Sequence, residues 1–141
     1  EEHIEEITCH KKGNYWGVVH HEMSHWYFDH LTKTWSGKPT WLTEGLAEYM
    51  AGQKKNLPIP IKESVTTKYY NHADAEVYQW GKLMVSKLIE DYGKEKFLEL
   101  IKLISPNMTE RSFEKNFKKT YSFSLDTFEN NVKDYLDKAL L

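Results

Sequence analysis

The sequence predicts a single, predominantly α-helical domain, and three observations support this fold class. The chain has 141 residues, 40% hydrophobic and 14% aromatic, which is enough for one domain to bury a core without disulfides. Lysines and glutamates are interspersed at helical spacings, a pattern typical of solvated helix faces. Helix-starting and helix-ending residues separate the apolar segments, and no repeat or low-complexity tract is present. We therefore expect residues 1–141 to form one domain.

The amino-terminal residues do not distinguish strand from helix. Residues 1–9 carry acids around Ile4 and Ile7, and they fit either a short edge strand or a lead-in to the first helix. Residues 10–14 predict a turn. The expected fold is accordingly mainly α, with at most a short N-terminal β element.

The first predicted helix is the apolar and aromatic segment at residues 15–31. Its large side chains recur all round the helix rather than along one side. They are Trp16, Val19, Met23, Trp26 and Tyr27. Because a helix that is apolar all round is normally buried, we expect this helix to lie inside the domain.

Five further helices are predicted from local start and stop signals. The second begins at Pro39 or Thr40 and ends near Ala51, with Gly52 as its C-terminal cap. Residues 53–67 are expected to form an extended connection within the domain, not a linker between domains. The remaining helices are expected at residues 73–92, 94–104, 109–120 and 125–140, the last with Ser124 as its N-cap.

Composition removes several classes of function from consideration. A formal net charge of -2 gives no indication of binding to nucleic acid or to a membrane surface. No apolar segment approaches the length of a membrane span. Cys9 is the single cysteine, so no disulfide can form within the chain. We therefore expect no nucleic-acid partner and no membrane span.

The motif that carries chemistry is His21-Glu22-Met23-Ser24-His25, inside the first predicted helix. Helical residues four apart lie about 40° from eclipsed, so the rings of His21 and His25 project from one face and can bind one ion. Glu22 points beside that ion, where it can reach a bound water without occupying a coordination position. The motif therefore predicts a metal site with an adjacent carboxylate.

A third ligand is expected from Glu44, on the second predicted helix and separated from His25 by eighteen residues. Two neutral imidazoles and one carboxylate, with water at the fourth vertex, form the open tetrahedral site of catalytic zinc. Glu48 follows Glu44 by one helical turn and can accept a hydrogen bond from the far nitrogen of a ligand histidine. We expect one Zn²⁺ per chain, bound by His21, His25 and Glu44.

These features resemble the gluzincin zinc metallopeptidases, which carry a His-Glu-x-x-His helix and a glutamate ligand on a second helix. The likeness is closest to the peptidase MA-like domains and the aminopeptidase N family, through the Trp-Leu-x-Glu-Gly-x-Ala segment at residues 41–47. Residues 76–82 are similar to the family segment Tyr-x-x-Gly, and the turn at residues 93–97 follows as in those relatives. The metzincin pattern fails, because positions 28 and 31 hold Phe and Leu instead of Gly and His.

The resemblance covers about residues 16–141, and it implies a zincin-like fold and hydrolysis of a peptide or protein substrate. It implies Glu22 as the general base and Tyr78 as the donor to the oxyanion. Tyr69, Tyr70 and His72 are competing candidates for the donor. The histidines expected to be surface or packing residues are His3, His10, His20, His30 and His72.

Three functions remain open from the sequence. The first is a peptidase, and we expect an endopeptidase, because the chain lacks the Gly-x-Met-Glu-Asn segment with which aminopeptidases of the resembling family hold a free amine. The second is a zinc hydrolase that acts on a bond other than a peptide. The third is a zinc-binding module without turnover, which the presence of Glu22 disfavours because coordination does not require that residue.

Overall fold

The computed structural model describes residues 15–52 and 56–141, and within those residues it contains seven helices and no strand. The helices are α1 (Tyr15–Thr32), α2 (Thr40–Ala51), α3 (Val65–Lys68), α4 (Val77–Tyr92), α5 (Lys94–Lys102), α6 (Glu110–Tyr121) and α7 (Leu125–Ala139). The mainly α prediction is therefore confirmed for the described residues. Residues 1–9, for which the sequence left a short edge strand and a lead-in to the first helix equally open, and the turn predicted at residues 10–14 lie outside them.

Several helix ends follow the predicted caps. α2 begins after Pro39 and ends at Gly52, whose φ of 67° allows its N–H to bond the carbonyl of Tyr49. α7 begins after Ser124, whose side chain accepts a hydrogen bond from the backbone N–H of Thr127. These ends depend on neighbours in sequence, which is why the sequence predicts them well.

The prediction of an extended connection at residues 53–67 is wrong in part, because the one-turn helix α3 begins within it. The side chain of Ser64 caps this turn, and the carboxylate of Glu129 on α7 binds the backbone N–H groups of Val65 and Thr66 at 2.6 and 3.1 Å. A partner more than sixty residues away in the chain gives no local signal. α3 therefore depends on tertiary contacts.

The predicted start of the third helix, at residue 73, is also wrong, since α4 begins at Val77. The carboxylate of Asp74 accepts hydrogen bonds from the backbone N–H of Glu76 and from the hydroxyl of Tyr69, both at 2.9 Å. This local turn competes with helix formation before Val77.

One cluster of buried apolar side chains joins the helices, and α4 contributes more of its buried residues than any other described helix. The buried residues of α4 include Val77, Trp80, Met84, Val85 and Leu88. α6 and α7 add aromatic rings, with Phe117 and Phe128 at 5.6 Å between centroids. None of the described helices is both long and apolar enough to cross a membrane.

The prediction that the first helix is buried all round is wrong. α1 packs mainly against α2, with a smaller contact to α5, and it buries Ser24, Phe28 and Thr32 on that side. The other side of α1 exposes large apolar residues, among them Met23 and Trp26. Composition alone did not reveal this, because burial requires a packing partner, and no described element covers that side.

α2 and α4 cross in backbone contact at Gly45 and Gly81. A Cβ atom at Gly45 would overlap the carbonyl of Gly81, and a Cβ atom at Gly81 would lie 2.9 Å from the Cα of Gly45. Only glycine allows so close an approach at both positions. The crossing fixes the relative position of Glu44, next to Gly45, and Tyr78, one turn before Gly81.

Candidate metal centre

The two histidines of α1 direct the same ring atom towards one point. The Nε2 atoms of His21 and His25 lie 3.2 Å apart, and the ring centroids are 4.9 Å apart. Both residues are partly buried on the side of α1 that faces α2. Two imidazole nitrogens at this separation can share one bound ion.

Glu44 completes a three-residue group. Its Oε2 atom lies 3.4 Å from Nε2 of His21 and 3.3 Å from Nε2 of His25. That oxygen is buried and has no well-oriented hydrogen-bond partner within the described residues. An unsatisfied buried carboxylate oxygen normally costs free energy, and a cation held between this oxygen and the two imidazoles could remove that cost.

The three separations fit zinc. With metal–ligand bonds of about 2.0–2.1 Å, the corners of a tetrahedron are about 3.3–3.4 Å apart. The observed separations of 3.2, 3.3 and 3.4 Å therefore match three corners of one zinc tetrahedron. Two imidazoles and a carboxylate are also a donor set that zinc prefers at catalytic sites.

The charges at this site are strongly coupled. Burial by itself would raise the pKa of Glu44, but the imidazoles of His21 and His25 outweigh this effect and lower the pKa to about 2. The pKa of His21 is raised, chiefly by its contact with the carboxylate of Glu44. Burial acts in the opposite direction, and the carboxylate of Glu48 adds to the increase. The site thus favours positive charge beside Glu44, which a bound divalent cation would supply in place of a proton.

Glu48 orients His21 from the other side of the ring. Its Oε1 atom lies 2.9 Å from Nδ1 of His21, so Nδ1–H can donate to the carboxylate. This contact leaves the lone pair of Nε2 directed towards Glu44 and His25. Contacts of this kind fix the tautomer of a ligand histidine and increase its basicity.

A cavity of about 480 Å³ opens beside the three-residue group. Glu22, His21 and Glu48 line it from α1 and α2, and Tyr78 lines it from α4. Glu22 is exposed, with access to solvent at the cavity wall. The cavity thus brings together the predicted base, Tyr78 and His21, one of the three predicted ligands.

Among the candidate oxyanion donors, the described structure places Tyr78 at the cavity. The Tyr78 ring lies 6.4 Å from the ring of His21, and the nearby carboxylate of Glu44 raises the pKa of Tyr78. The Tyr69 hydroxyl donates to Asp74 at 2.9 Å, and the Tyr70 hydroxyl donates to the carbonyl of Met108 at 3.0 Å. Both of those hydroxyls are therefore bound at other positions.

The remaining histidines lie at the surface wherever the structure describes them. His20, His30 and His72 are exposed, and His30 packs on Trp26 with 3.9 Å between ring centroids. His72 stacks on Tyr69 and lies 3.7 Å from Asp74. His3 and His10 lie outside the described residues.

Sequence reasoning missed three polar residues that line the cavity, Asn56, Gln79 and Lys82. Lys82 follows Tyr78 by four residues on α4, so helical spacing could have placed both on the same side. Gln79 is adjacent to Tyr78 but carries no recognisable motif. Asn56 belongs to the connection before α3, where no local pattern indicates proximity to α1.

Comparison with known proteins finds similarity to the uncharacterized protein YhcO of Bacillus subtilis (strain 168). The two are 29% identical in an alignment 138 residues long, and the alignment covers 88% of this chain and 42% of the relative. The chain therefore spans less than half the length of that relative. No family model matches the chain, and no solved structure matches it.

Proposed function

We propose that this protein is a zinc-dependent metallopeptidase of the gluzincin type, with a zincin-like catalytic domain that hydrolyses peptide bonds. The observation that carries the proposal is the convergence of Nε2 of His21, Nε2 of His25 and Oε2 of Glu44 at 3.2–3.4 Å. Glu22 and an open cavity lie directly beside this group. A zinc-binding module without turnover requires neither of these two features.

When bound by His21, His25 and Glu44, zinc would polarise the scissile carbonyl and lower the pKa of a water molecule at the open vertex. Glu22 can accept a proton from the attacking water and deliver it to the leaving amine. Its exposure at the cavity wall supports this role, because the carboxylate must meet both the water and the substrate.

Two further residues support the same reaction. Tyr78 can donate a hydrogen bond to the carbonyl oxygen of the substrate as negative charge develops there. Glu48 acts through His21, since its contact with Nδ1 holds the imidazole in one tautomer and one orientation. Glu48 is therefore a positioning residue in this proposal.

The cavity favours cleavage inside a polypeptide. An aminopeptidase needs an acidic side chain to hold the free ammonium group of its substrate. The acidic residues that line the described cavity are Glu22, assigned to proton transfer, and Glu48, paired with His21. Because neither of these two carboxylates is available to hold an ammonium group, we expect the substrate to be held without reference to its chain end, as in an endopeptidase.

The principal experiment is zinc-dependent digestion of an unfolded test protein, with the cleavage sites identified by mass spectrometry. We expect internal cleavage that chelation abolishes. Glu22→Gln should keep one zinc per chain and its fold but lower kcat by about 10²–10⁴-fold, because the amide cannot accept the proton. Glu99→Gln, at an exposed position of α5, is the matched control and should retain full activity.

Full activity of Glu22→Gln would contradict the proposed mechanism. Stoichiometric zinc binding without cleavage of any peptide would favour the zinc-binding module, and cleavage of esters alone would favour a different zinc hydrolase.

A pair of peptides of identical sequence, one free and one acetylated at the amine, tests the endopeptidase assignment. We expect both to be cut at the same internal bonds. Stepwise cleavage of only the free peptide from its amino end would instead establish an aminopeptidase.

A further inference from the structure

Asp74 holds the turn that precedes α4, and the proposed mechanism gives it no role. Its Oδ1 atom accepts hydrogen bonds from the backbone N–H of Glu76 and from the hydroxyl of Tyr69, both at 2.9 Å. Its backbone carbonyl accepts the N–H of Val77 at 3.2 Å. Asp74 thus binds two N–H groups at the start of α4 that have no acceptor within the helix.

The carboxylate of Asp74 is held in its ionised form. Burial by itself would raise the pKa of Asp74, but the hydrogen bonds from Tyr69 and Glu76 outweigh this effect and lower the pKa. The ammonium group of Lys68, with Nζ 3.9 Å from Oδ2, adds positive charge beside the carboxylate. Because ionised carboxylates accept stronger hydrogen bonds than neutral groups do, the turn before α4 is firmly held.

Tyr69 connects this turn to α2, the helix that carries Glu44. The side chain of Tyr69 is fully buried, so packing holds its hydroxyl in place. Its backbone carbonyl accepts the N–H of Trp41 at 2.9 Å, three residues before Glu44. Tyr69 therefore contacts the first turn of α2 directly and the start of α4 through Asp74.

Tyr78 lies in the first turn of α4, two residues after Glu76. The side chain of Glu76 makes no capping hydrogen bond, so Asp74 supplies contacts that a cap would otherwise make. Helix ends fray more readily than helix centres, and the contact of Gly45 with Gly81 acts only one turn further on. Since Tyr78 is 40% exposed, packing restrains it only in part.

We propose that Asp74 is a positioning residue, which fixes the first turn of α4 and thereby holds Tyr78 at the cavity beside His21. This inference rests on the proposed function, in which Tyr78 donates to the oxyanion. A misplacement of about 1 Å can cost on the order of 10²-fold in rate. Asp74 is not among the described residues that line the cavity, so it acts through Tyr78.

Steady-state kinetics on a blocked peptide tests this role. Asp74→Ala should lower kcat by about 10–30-fold with KM changed by less than about twofold, and it should keep one zinc per chain. Asp74→Asn retains an oxygen acceptor and should recover most of the lost rate. In the Tyr78→Phe background, Asp74→Ala should lower kcat by no more than about twofold further, because the donor that Asp74 positions is already absent.

Thr109→Ala is the matched control for a general loss of stability. The side chain of Thr109 accepts a hydrogen bond from the N–H of Ser112 at 3.1 Å, so its removal weakens the start of α6, which does not line the cavity. This control should keep the wild-type kcat. Tyr69→Phe removes one hydroxyl from a buried ring and serves if Asp74→Ala does not fold. It should lower kcat by about 3–10-fold, and only when the hydroxyl of Tyr78 is present.

Nuclear magnetic resonance supplies a second measurement that needs no activity. The ring centroids of Tyr78 and His21 lie 6.4 Å apart, so their ring protons should show a nuclear Overhauser effect in the wild type and in Thr109→Ala. Asp74→Ala, or Tyr69→Phe in its place, should lose this signal. If the wild type cleaves no peptide and the signal still depends on Asp74, the positioning role stands while the proposed function fails.

A folded Asp74→Ala variant that keeps either the wild-type kcat or the signal between the two rings would overturn the proposal. An equal loss of kcat with and without the hydroxyl of Tyr78 would also overturn it, because Asp74 would then act by another route. Loss of zinc from Asp74→Ala would do the same, since Asp74 would then support the metal ligands instead of Tyr78.

Discussion

At the scale of single residues, Tyr78 differs from Tyr69 and Tyr70 because it lines the cavity, whereas the hydroxyls of the other two are hydrogen-bonded elsewhere. Tyr78→Phe should lower kcat by about 100-fold with little change in KM, as expected for a donor that acts mainly in the transition state. Steady-state kinetics on a blocked peptide measures both constants. Tyr70→Phe is the matched control, because its hydroxyl binds the carbonyl of Met108. Wild-type kcat in Tyr78→Phe would show that another group stabilises the oxyanion.

Glu129 is a buried carboxylate that holds α3 against α7. It accepts hydrogen bonds from Ser64, Val65 and Thr66 and contacts Lys133 at 3.1 Å. Burial alone would raise the pKa of Glu129, but the hydrogen bonds, led by that from Thr66, outweigh it and lower the pKa below 4.5. The folded pKa is thus below the unfolded value, so this stabilisation is fully present above about pH 4.5 and is lost as the pH falls through the folded pKa.

Glu129→Gln should therefore lower the free energy of unfolding at pH 7 by about 1–3 kcal/mol. It should also remove part of the decline in stability on acidification below pH 4.5. Urea unfolding at a series of pH values, in chelator so that zinc plays no part, measures both effects. An unchanged stability profile would mean that the contacts of Glu129 contribute nothing net.

At the scale of helices, the crossing of α2 and α4 positions the candidate site. Gly45→Ala or Gly81→Ala should destabilise the fold by about 3 kcal/mol or more, because the added Cβ meets backbone that cannot move aside. Zinc affinity should fall as well, since α2 carries Glu44. Thermal unfolding and zinc titration are the measurements.

Gly52→Ala is the control for the helix crossing. Its Cβ would meet no atom within 4 Å, although φ is +67°. It should cost only about 1–2 kcal/mol through backbone strain and should retain full zinc affinity. If Gly45→Ala behaves in the same way as Gly52→Ala, close approach of the two helices does not control the site.

At the scale of the whole molecule, zinc would join α1 to α2 and stabilise the fold by mass action. A free zinc concentration of about 1,000 times the dissociation constant adds about 4 kcal/mol. For a domain of this size we expect chelation to lower Tm by roughly 10–15 °C, measured by scanning calorimetry. His21→Ala, His25→Ala and Glu44→Ala should each abolish this response. A metal-free wild type whose Tm does not change on addition of zinc would contradict the assignment of the site.

Most helix ends could be predicted from the sequence, whereas contacts between distant segments could not. The ends of α2 and the start of α7 depend on Pro39, Gly52 and Ser124, each of which acts on backbone groups within a few residues. The sequence did not predict α3, because the residue that binds its backbone N–H groups is Glu129, which is distant in the chain. The start of α4 was misplaced because Asp74 and Tyr69 form a competing turn.

The sequence by itself determined that His21 and His25 share one face, because residues four apart in a helix must do so. It also indicated Glu44 as a third ligand, although it could not show how Glu44 reaches the histidines. Only the tertiary structure decided that, through the contact of Gly45 with Gly81 and the packing of α2 on α1. Tertiary structure likewise decided that one side of α1 is exposed, since periodicity reports which residues are apolar, and burial depends on what packs against them.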